Sequence, residues 1–276
     1  MPQLLIDLPA SLKAALDEET SRSSRSASSV ITCALARYFD RPIHTVFQVS
    51  TSGALVAGVF DGEVSVQTVL DHGDFGLGTF ANLDGEMVVL DGRVYQVRGS
   101  GRVTEAARDA GAPFAVVTWF KPDSHSSIQS VGSFRDLEAH CDAARRSGNI
   151  FYALRLDGRF NWVRTRAVKP PRHGARLVDA AKAQGEFTFA DVEGTLVGLW
   201  SPGFSSAFSV AGYHFHFLSA DRQHGGHLLD VKADELQLKV EALTEFHLAL
   251  PETAAFLEAD LNRNTAEELA YAERAH

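Results

Sequence analysis

The stretch from Gly212 to Val231 reads GYHFHFLSADRQHGGHLLDV and carries the strongest functional signal in this chain. Histidine and phenylalanine alternate in its first part, so His214 and His216 share one face of an extended strand. The turn-forming residues from Asp221 to Gly226 follow, and a second apolar run starts at His227. A hairpin centred near this turn would place His227 opposite His216. The sequence therefore predicts three histidines on one patch of a sheet.

Three histidine nitrogens with a fourth position open are the ligand set of a catalytic zinc rather than of a structural one. The alternative is that His214 and His216 are ordinary solvated side chains on the surface of a strand. The third histidine and the double glycine before it favour the metal, because a catalytic zinc needs three protein ligands. His224, in the loop, is either a competing ligand or a solvated residue. We therefore predict that His214, His216 and His227 bind Zn²⁺.

Composition narrows the possible partners and the location of the protein. The 276 residues carry a net charge of −9, which argues against a general affinity for nucleic acid or for anionic membranes. The two cysteines, Cys33 and Cys141, match no metal-ligand pattern and indicate a reducing compartment. Asp7 and Pro9 interrupt the one candidate for a signal peptide, and no apolar run approaches the ~20 residues of a membrane span. We expect a cytoplasmic protein that does not bind membranes.

Residues 1–42 are predicted to form a module separate from residues 43–276. The segment from Gln3 to Leu8 alternates like a short strand and presents Leu4, Ile6 and Leu8 on one face. A helix capped by Ser11 is expected to extend to Thr20, and a second helix follows a serine-rich turn. Arg41 and Pro42 break the pattern and form the linker.

This strand-helix-helix pattern resembles the ribbon-helix-helix family, in which two chains pair their strands, and the resemblance implies a homodimer. Repressors of that family read DNA with the outward residues of the strand, which here would be Gln3, Leu5 and Asp7. None of these is basic, and acidic residues outnumber basic ones over residues 1–40. Because DNA affinity depends on neutralising phosphates, we interpret the module as a dimerisation device. A regulatory role in DNA binding is the alternative.

The remainder is dominated by predicted strands and tight turns. Asp-Gly dipeptides, which favour hairpins, begin at Asp61, Asp84, Asp91 and Asp157. The last of these is expected to join strands at Ile150–Leu156 and Arg159–Val168. Two more strands are predicted at Pro113–Phe120 and Phe187–Leu199. Helices are predicted at Ser133–Ser147, capped by Ser133 and Asp136 and stopped by Gly148, and at Glu252–Arg274.

Several blocks in this part of the chain resemble the acetolactate decarboxylase family. The resemblance begins near Val46 with VFQVSTSGALVAGVFDG and continues through HGDFGLGTFANLDGEMVVLDG, VRTRAV, VEGTLVGLWSP and GYHFHFLSADRQHGGHLLD, in this order. It implies an enzyme that converts 2-acetolactate to acetoin and carbon dioxide in acetoin biosynthesis. The implied fold is α/β and strand-rich, with two layered subdomains, a large mixed, partly barrel-like sheet, and the metal between the subdomains.

The resemblance also assigns roles to single residues. It places the three zinc ligands on His214, His216 and His227, as the spacing already indicates. The family's active-site glutamate corresponds to Glu86, its threonine to Thr79 and its arginine to Arg166. Glu273 is the nearest match to a glutamate that the family sends into the site from its C-terminal tail. Two features depart from the family: Ala167 stands where threonine is usual, and the N-terminal module is additional.

Without the resemblance, other interpretations of these residues are available. Glu86 follows an Asp-Gly turn and would be taken as a solvated turn residue. Arg164 and Arg166 share one face of a strand, which an exposed surface explains as well as substrate binding does.

The chemistry of 2-acetolactate fits these residue types. Loss of carbon dioxide leaves an electron pair conjugated to the neighbouring ketone as an enediolate, which a divalent cation stabilises. Arg166 can hold the carboxylate, and Glu86 or Glu273 can protonate the enediolate on one face if burial raises its pKa. No organic cofactor is required. Two alternatives remain: a zinc-dependent hydrolase with Glu86 as base, and a metabolite-sensing transcriptional regulator.

Overall fold

The computed structural model describes residues 5–23, 27–39, 44–171, 177, 184–263, 265, 268, 269 and 273. The chain divides into two compact units, Met1–Ile43 and His44–His276. The division falls beside the predicted linker, whose residues Arg41 and Pro42 lie outside the described part, as do Gln3 and Leu4 of the predicted strand. None of the helices in the described ranges combines the length and the apolar character needed to cross a membrane.

The first unit contains two helices, α1 (Ala10–Ser23) and α2 (Ala27–Tyr38), where two were predicted. An ion pair between Lys13 and Asp17, one turn apart, supports α1. The described part of the predicted strand, residues 5–8, has no regular secondary structure. A strand exists only by pairing with a neighbouring strand, and a strand of a two-chain ribbon has that neighbour on another chain.

Apolar side chains of the first unit are exposed in the single chain. Leu5 is 97% exposed, Tyr38 81% and Phe39 64%. A segment of about forty residues is near the lower limit of what buries enough apolar surface to fold alone. We therefore expect this unit to be completed by a second copy of the chain.

Deletion of residues 1–42 should therefore weaken self-association and leave the second unit folded. Sedimentation analysis of the full chain and of the truncated variant, each over a range of concentrations, measures this. We expect the full chain to remain dimeric at concentrations at which the truncated variant dissociates. Equal masses for the two proteins down to the lowest concentration would contradict the expectation.

The second unit is rich in strands. In chain order its strands are β1 Thr45–Val49, β2 Val64–Ser65, β3 Phe75–Thr79, β4 Glu86–Leu90, β5 Arg93–Val97, β6 Val103–Glu105, β7 Gly111–Ala112, β8 Phe114–Thr118, β9 Ser124–Val131, β10 Phe151–Ala167, β11 Gly185–Ser201, β12 Gly212–Ser219, β13 Gly225–Leu243 and β14 Glu245–Ala249. Its helices are α3 Ser52–Val56, α4 Val66–His72, α5 Phe134–Ala144 and α6 Ala254–Glu258, with short 3₁₀ turns at Ala81–Leu83 and Gly203–Ala207.

Two large sheets form the body of this unit. The first is seven-stranded, in the order β14-β1-β8-β3-β4-β5-β6, and it is mixed because β14 runs parallel to β1. The second is antiparallel, in the order β10-β11-β12-β13-β9, and β10 also pairs with β13. The four strands β10 to β13 therefore close on themselves. This confirms a mixed, strand-rich α/β fold, although the barrel-like closure belongs to the antiparallel sheet and not to the mixed one.

The core packs on both sides of the mixed sheet. One apolar cluster joins that sheet to the closed strands, a second fills the closed strands and reaches α5, and a third covers the opposite face of the mixed sheet. Burial on two faces of a sheet removes a large apolar area from water and makes the sheet a rigid support. The first cluster surrounds the place where the predicted site residues lie.

The hairpin predicted at Asp157 is wrong, because β10 runs without interruption from Phe151 to Ala167. Asp157 accepts hydrogen bonds from Arg155 and from Lys239 on β13, each at 2.9 Å. A Cβ on Gly158 would lie 2.8 Å from Leu236 Cδ2. The glycine therefore permits a close approach between strands, and the aspartate is satisfied by its neighbours across the sheet, so neither residue forms a turn.

The other Asp-Gly dipeptides have three different outcomes. Asp91 and Gly92 form the predicted tight turn between β4 and β5, both with positive φ. Asp84 and Gly85 end the longer loop between β3 and β4. Asp61 lies in irregular chain before β2, so no hairpin forms there.

Helix α5 confirms the predicted cap, since Ser133 Oγ accepts from the Asp136 N–H at 3.2 Å. The helix ends at Ala144, before the predicted Gly148 stop. Arg145 is extended at the C-cap, where its guanidinium lies over the Trp200 ring, 3.6 Å from the centroid, and donates to the Tyr213 hydroxyl. The single helix predicted over Glu252–Arg274 is wrong, because α6 covers only Ala254–Glu258, Ala259 is extended at its C-cap, and residues 260–263 have no helical structure. Residues 268, 269 and 273 are helical, and residues 264, 266, 267, 270–272 and 274 lie outside the described part.

Candidate metal and active site

The predicted histidine hairpin is confirmed. Strands β12 and β13 pair antiparallel, and His216 lies directly opposite His227. On its other side His227 pairs with Arg166 of β10, so three adjacent strands bring these side chains together. Gly226 adopts a φ of +132°, and a Cβ there would lie 2.5 Å from the Arg166 carbonyl oxygen. A glycine is therefore required where β13 meets β10 next to His227.

Three ring nitrogens converge at one point. His214 Nε2 lies 3.2 Å from His216 Nε2 and 3.2 Å from His227 Nδ1. His216 is 1% exposed and His227 5% exposed. The three residues offer one ligand atom each, and these atoms all lie within 4.8 Å of one another. Such spacing suits a single ion bound by all three rings.

The protons on two of these rings are fixed by backbone carbonyls. His216 Nδ1 lies 2.8 Å from the Met87 carbonyl oxygen, and His227 Nε2 lies 3.2 Å from the Glu273 carbonyl oxygen. Because a carbonyl only accepts, each of these nitrogens carries the proton and donates it. The opposite nitrogens, His216 Nε2 and His227 Nδ1, therefore present lone pairs toward His214. Outer hydrogen bonds of this kind orient histidine ligands in metal sites.

The histidines are also in the charge state that a metal requires. Burial lowers the pKa of His214 to about 3 and the pKa of His216 to about 3, and it lowers the pKa of His227 well below its usual value. The positive charge of Arg166 acts in the same direction on all three. Neutral imidazole is the form that binds divalent metals, so the three residues fit a metal ion.

Glu86 is buried, not solvated as its position after a turn would suggest. The turn before it is held by the Thr79 hydroxyl, which donates to the Gly85 carbonyl at 2.8 Å, and by Gln96, which donates to the Asp84 carbonyl at 2.6 Å. Glu86 is 6% exposed. These bonds fix the start of β4, where Glu86 pairs with Thr79 across the sheet.

The Glu86 carboxyl faces the histidines. Its Oε1 accepts from the Val168 N–H at 3.2 Å, and its Oε2 lies 3.6 Å from His216 Nε2. Burial raises the pKa of Glu86 to about 7, although the charge of Arg166 opposes the rise. A carboxyl with this pKa can hold or release a proton near neutral pH.

Arg166 and Glu273 complete the cluster. Arg166 is 4% exposed, and its Nη2 lies 3.7 Å from Glu273 Oε2. The same carboxylate oxygen lies 3.6 Å from His214 Nε2 and 3.6 Å from His227 Nδ1. Burial raises the pKa of Glu273, and the charge of Arg166 opposes the rise. The structure thus brings together every residue that the sequence assigned to the site. Thr79 and Glu86 come from the neighbouring strands β3 and β4 of the mixed sheet.

Two of the competing interpretations are resolved by position. Arg164 and Arg166 share one face of β10, as the alternation predicts, because the pairing of β10 with β11 is regular through both residues. The register shift beside them comes from an extra residue, Leu229, on β13. Arg164 is partly exposed beside Glu186, while Arg166, which lies opposite His227, is buried. His224 stacks against Phe189, with 4.6 Å between ring centroids, and is not part of the three-histidine cluster.

Some site residues have no local signal in the sequence. Gln184 accepts from Arg166 Nη1 through its side-chain oxygen at 3.1 Å. It lies outside the predicted strands Arg159–Val168 and Phe187–Leu199, so only the pairing of β10 with β11 reveals its proximity to Arg166. The Met87 carbonyl and the Val168 N–H are backbone groups, which no residue type marks.

A small cavity of about 50 Å³ opens onto the cluster. Its polar lining consists of Thr79, Glu86, Arg166, His214, His227 and Glu273, and its apolar lining includes Leu55, Leu83, Phe114 and Val210. A second cavity of about 610 Å³ adjoins it and shares Val210, His227 and Glu273 as lining residues. The first cavity is thus of a size for a small polar molecule, held by charged groups on one side.

Fold and site together define a strand-rich α/β protein with a buried three-histidine centre of the kind that catalytic metals occupy. The sequence profile of the alpha-acetolactate decarboxylase family matches residues 46–263. The chain is 41% identical to the alpha-acetolactate decarboxylase of Methylococcus capsulatus over 231 residues, covering 83% of this chain and 89% of that protein. It is 36% identical to that of Bacillus subtilis over 224 residues, covering 81% and 88%.

Comparison with solved structures points to the same family. The crystal structure of alpha-acetolactate decarboxylase from Bacillus subtilis strain 168 superposes with a TM-score of 0.81 at 35% identity, covering 84% of this chain and all of that one. A Staphylococcus aureus protein described as similar to alpha-acetolactate decarboxylase gives a TM-score of 0.80 at 30% identity. The chain belongs to the alpha-acetolactate decarboxylase family, a family of carboxy-lyases. Residues 1–45 lie outside the family match.

Removal of single histidines tests the metal centre. His214→Ala or His227→Ala should abolish tight zinc binding, because two ligands hold zinc far less firmly than three. Zinc content after dialysis against a weak chelator measures the effect.

His224→Ala is the matched control, since this histidine lies in the same hairpin but outside the cluster. It should retain a full equivalent of zinc. Loss of zinc from His224→Ala equal to the loss from His227→Ala would mean that the third ligand is misassigned.

Proposed function

We propose that this protein decarboxylates 2-acetolactate to acetoin and carbon dioxide in acetoin biosynthesis, with Zn²⁺ held by His214, His216 and His227. The observation that carries the proposal is the buried cluster of three neutral histidines, one arginine and two glutamates in a member of this family. The bound ion would supply positive charge to the hydroxyl and ketone oxygens of the substrate as electrons accumulate there. The residues of the chain supply the rest.

Arg166 binds the carboxylate of the substrate. Its guanidinium is buried at the cavity, and its Nε has no hydrogen-bond partner among the described residues. A planar fork of donors matches a carboxylate better than a lysine ammonium does. Because the cavity is small and partly apolar, the attraction is weakly screened by water. Arg166 therefore selects an acid and orients it.

The Thr79 hydroxyl oxygen can still accept one hydrogen bond from a bound substrate. Its hydroxyl proton is donated to the Gly85 carbonyl, so the oxygen can only accept from a ligand. The 2-hydroxyl of the substrate is a donor of the required kind. Thr79 thus helps to distinguish a hydroxy acid from an acid without the hydroxyl.

Glu86 delivers the proton that replaces the departing carboxylate. Its raised pKa, about 7, allows it to carry that proton at neutral pH, and its Oε2 points toward the histidines. The hydrogen bond from the Val168 N–H holds the other oxygen in place. A donor fixed on one side of the substrate carbon gives one enantiomer of acetoin. Glu273, also with a raised pKa, is the alternative donor.

Assembly and location complete the proposal. The protein functions as a homodimer joined through residues 1–42, and it works in the cytoplasm. The exposed apolar side chains of the first unit support the dimer. The pair of widely spaced cysteines, of which Cys141 is buried and unpaired, supports a reducing compartment.

Glu86→Gln separates the proton donor from the metal ligands. Glutamine keeps the size of the side chain but cannot deliver a carboxylic proton. The wild type should release acetoin from 2-acetolactate and leave esters and amides intact. The variant should retain zinc, and its turnover should fall by roughly 10²- to 10⁴-fold. Its residual acetoin should lose enantiomeric purity, because water can protonate either face. Chiral chromatography of the product measures this.

Glu273→Gln is the matched control, since it removes the other carboxyl of the cluster. It should give a single enantiomer. Racemic acetoin from Glu273→Gln together with one enantiomer from Glu86→Gln would exchange the two roles. Hydrolysis of esters or amides by the wild type, without acetoin formation, would contradict the proposed function itself.

A further inference from the structure

The guanidinium of Arg166 is held on two sides by groups of different charge. Nη2 lies 3.7 Å from a carboxylate oxygen of Glu273, whereas Nη1 donates at 3.1 Å to the side-chain amide oxygen of Gln184. The amide contact is the shorter one and has hydrogen-bond geometry. The firmest side-chain bond of this arginine therefore goes to a neutral group.

Gln184 is itself fixed in orientation. Its Nε2 donates to Glu186 Oε1 at 3.3 Å, so the amide nitrogen faces Glu186 and the amide oxygen faces Arg166. Glu186 pairs with Arg166 where β10 and β11 run together, and the pairing ends at Gly185. Gln184 therefore lies just outside the paired strands, next to Arg166. Gln184 is half-buried, while Glu186 is partly exposed. The amide thus stands between the buried arginine and this carboxylate.

We propose that Gln184 is a positioning residue that orients Arg166 through an uncharged oxygen, so that the positive charge remains available to the carboxylate of the substrate. This inference rests on the proposed role of Arg166 in binding that carboxylate. A glutamate at position 184 would bind the guanidinium more strongly, since charge-assisted hydrogen bonds are about twice as strong as neutral ones. It would also repel the substrate anion across a cavity in which charges are poorly screened.

A purely structural role and a role that depends on the neutrality of Gln184 predict opposite results for Gln184→Glu. If the residue only holds Arg166 in place, glutamate is a better replacement than alanine, because it keeps the size, the acceptor oxygen and the contact with Arg166 and loses only the donation to the exposed Glu186. If the neutrality of the residue matters, glutamate is the worst replacement. Gln184→Ala, which removes the acceptor but adds no charge, should then lie between glutamate and the wild type.

The experiment compares steady-state kinetics on 2-acetolactate for the zinc-loaded wild type, Gln184→Glu and Gln184→Ala. For Gln184→Glu we expect KM to rise by roughly ten- to a hundredfold. We expect kcat to change by less than about threefold, because the negative charge stays in the cavity as it moves from the carboxylate to the enediolate oxygens. A repulsion that acts on the bound substrate and on the transition state alike raises KM and leaves kcat nearly unchanged. Thermal melting checks that each variant is folded.

Gln67→Glu is the matched control. Gln67 has the same bonding pattern, since its Oε1 accepts from Arg108 Nη1 at 3.2 Å and its Nε2 donates to Asp71 Oδ1 at 2.8 Å. It is exposed on α4 and does not line the site cavity. The same added charge at this position should leave KM unchanged.

Calorimetric binding of 2-hydroxy-2-methylpropanoate separates this inference from the proposed reaction. This anion has the hydroxyl and the carboxylate of the substrate but no ketone, so it binds without turnover. We expect its affinity to fall at least about tenfold in Gln184→Glu and less in Gln184→Ala.

An affinity and a KM for Gln184→Glu within about twofold of the wild type would overturn the role of Gln184. Equal losses of kcat, affinity and melting temperature in Gln184→Glu and Gln184→Ala would overturn it as well, by showing a merely structural residue. A wild type that binds the anion but makes no acetoin would overturn the proposed function, while the calorimetry would still decide the role of Gln184.

Discussion

The pairing of His216 with His227 across the β12–β13 hairpin is the contact on which the rest of the site depends. A shift of one residue in this register would turn every side chain of one strand to its other face and would separate the two rings. The closed arrangement of β10 to β13 prevents such a shift, because β13 is paired with β10 on one side and with β12 on the other. The same sheet sets Arg166 beside His227, so the three histidines and the buried guanidinium share one rigid support.

Burial then determines the chemistry of this cluster. Removal from water lowers the pKa of the histidines, raises the pKa of Glu86 to about 7 and raises the pKa of Glu273, while the positive charge of Arg166 opposes both carboxyl shifts. A buried charge is costly unless it is paired, and Arg166 has Glu273 at salt-bridge distance and Gln184 at hydrogen-bond distance. The arrangement orients the arginine through an amide oxygen at 3.1 Å, while the Glu273 carboxylate oxygen lies farther away, at 3.7 Å. That is a suitable state for the group that we propose binds the carboxylate of the substrate.

The parts of the fold and of the site whose signals lie between neighbouring residues could be predicted from the sequence. The alternation of His214 to Phe217 and the double glycine before His227 predicted the hairpin, and the structure confirms it. Ser133 predicted the start of α5 for the same reason, because a helix cap involves neighbouring residues. The family resemblance brought Glu86 and Arg166 to the site, which composition and spacing alone did not.

The failures share one cause, which is that contacts distant in sequence override local preference. The dipeptide Asp157-Gly158 is a turn signal by itself, yet neighbouring strands satisfy the aspartate and fill the space beside the glycine. Gln184 meets Arg166 only because β11 returns along β10, a pairing between residues that a long connection separates.

X-ray absorption at the zinc edge of the zinc-loaded protein tests the central claim most directly, namely that the hairpin register builds a three-histidine metal site. The account predicts three imidazole nitrogens at about 2.0–2.1 Å, with the remaining coordination from oxygen. The His227→Ala variant, loaded with excess zinc, should show no more than two imidazoles. Sulfur in the coordination shell of the wild type, or an imidazole count that His227→Ala leaves unchanged, would contradict the account.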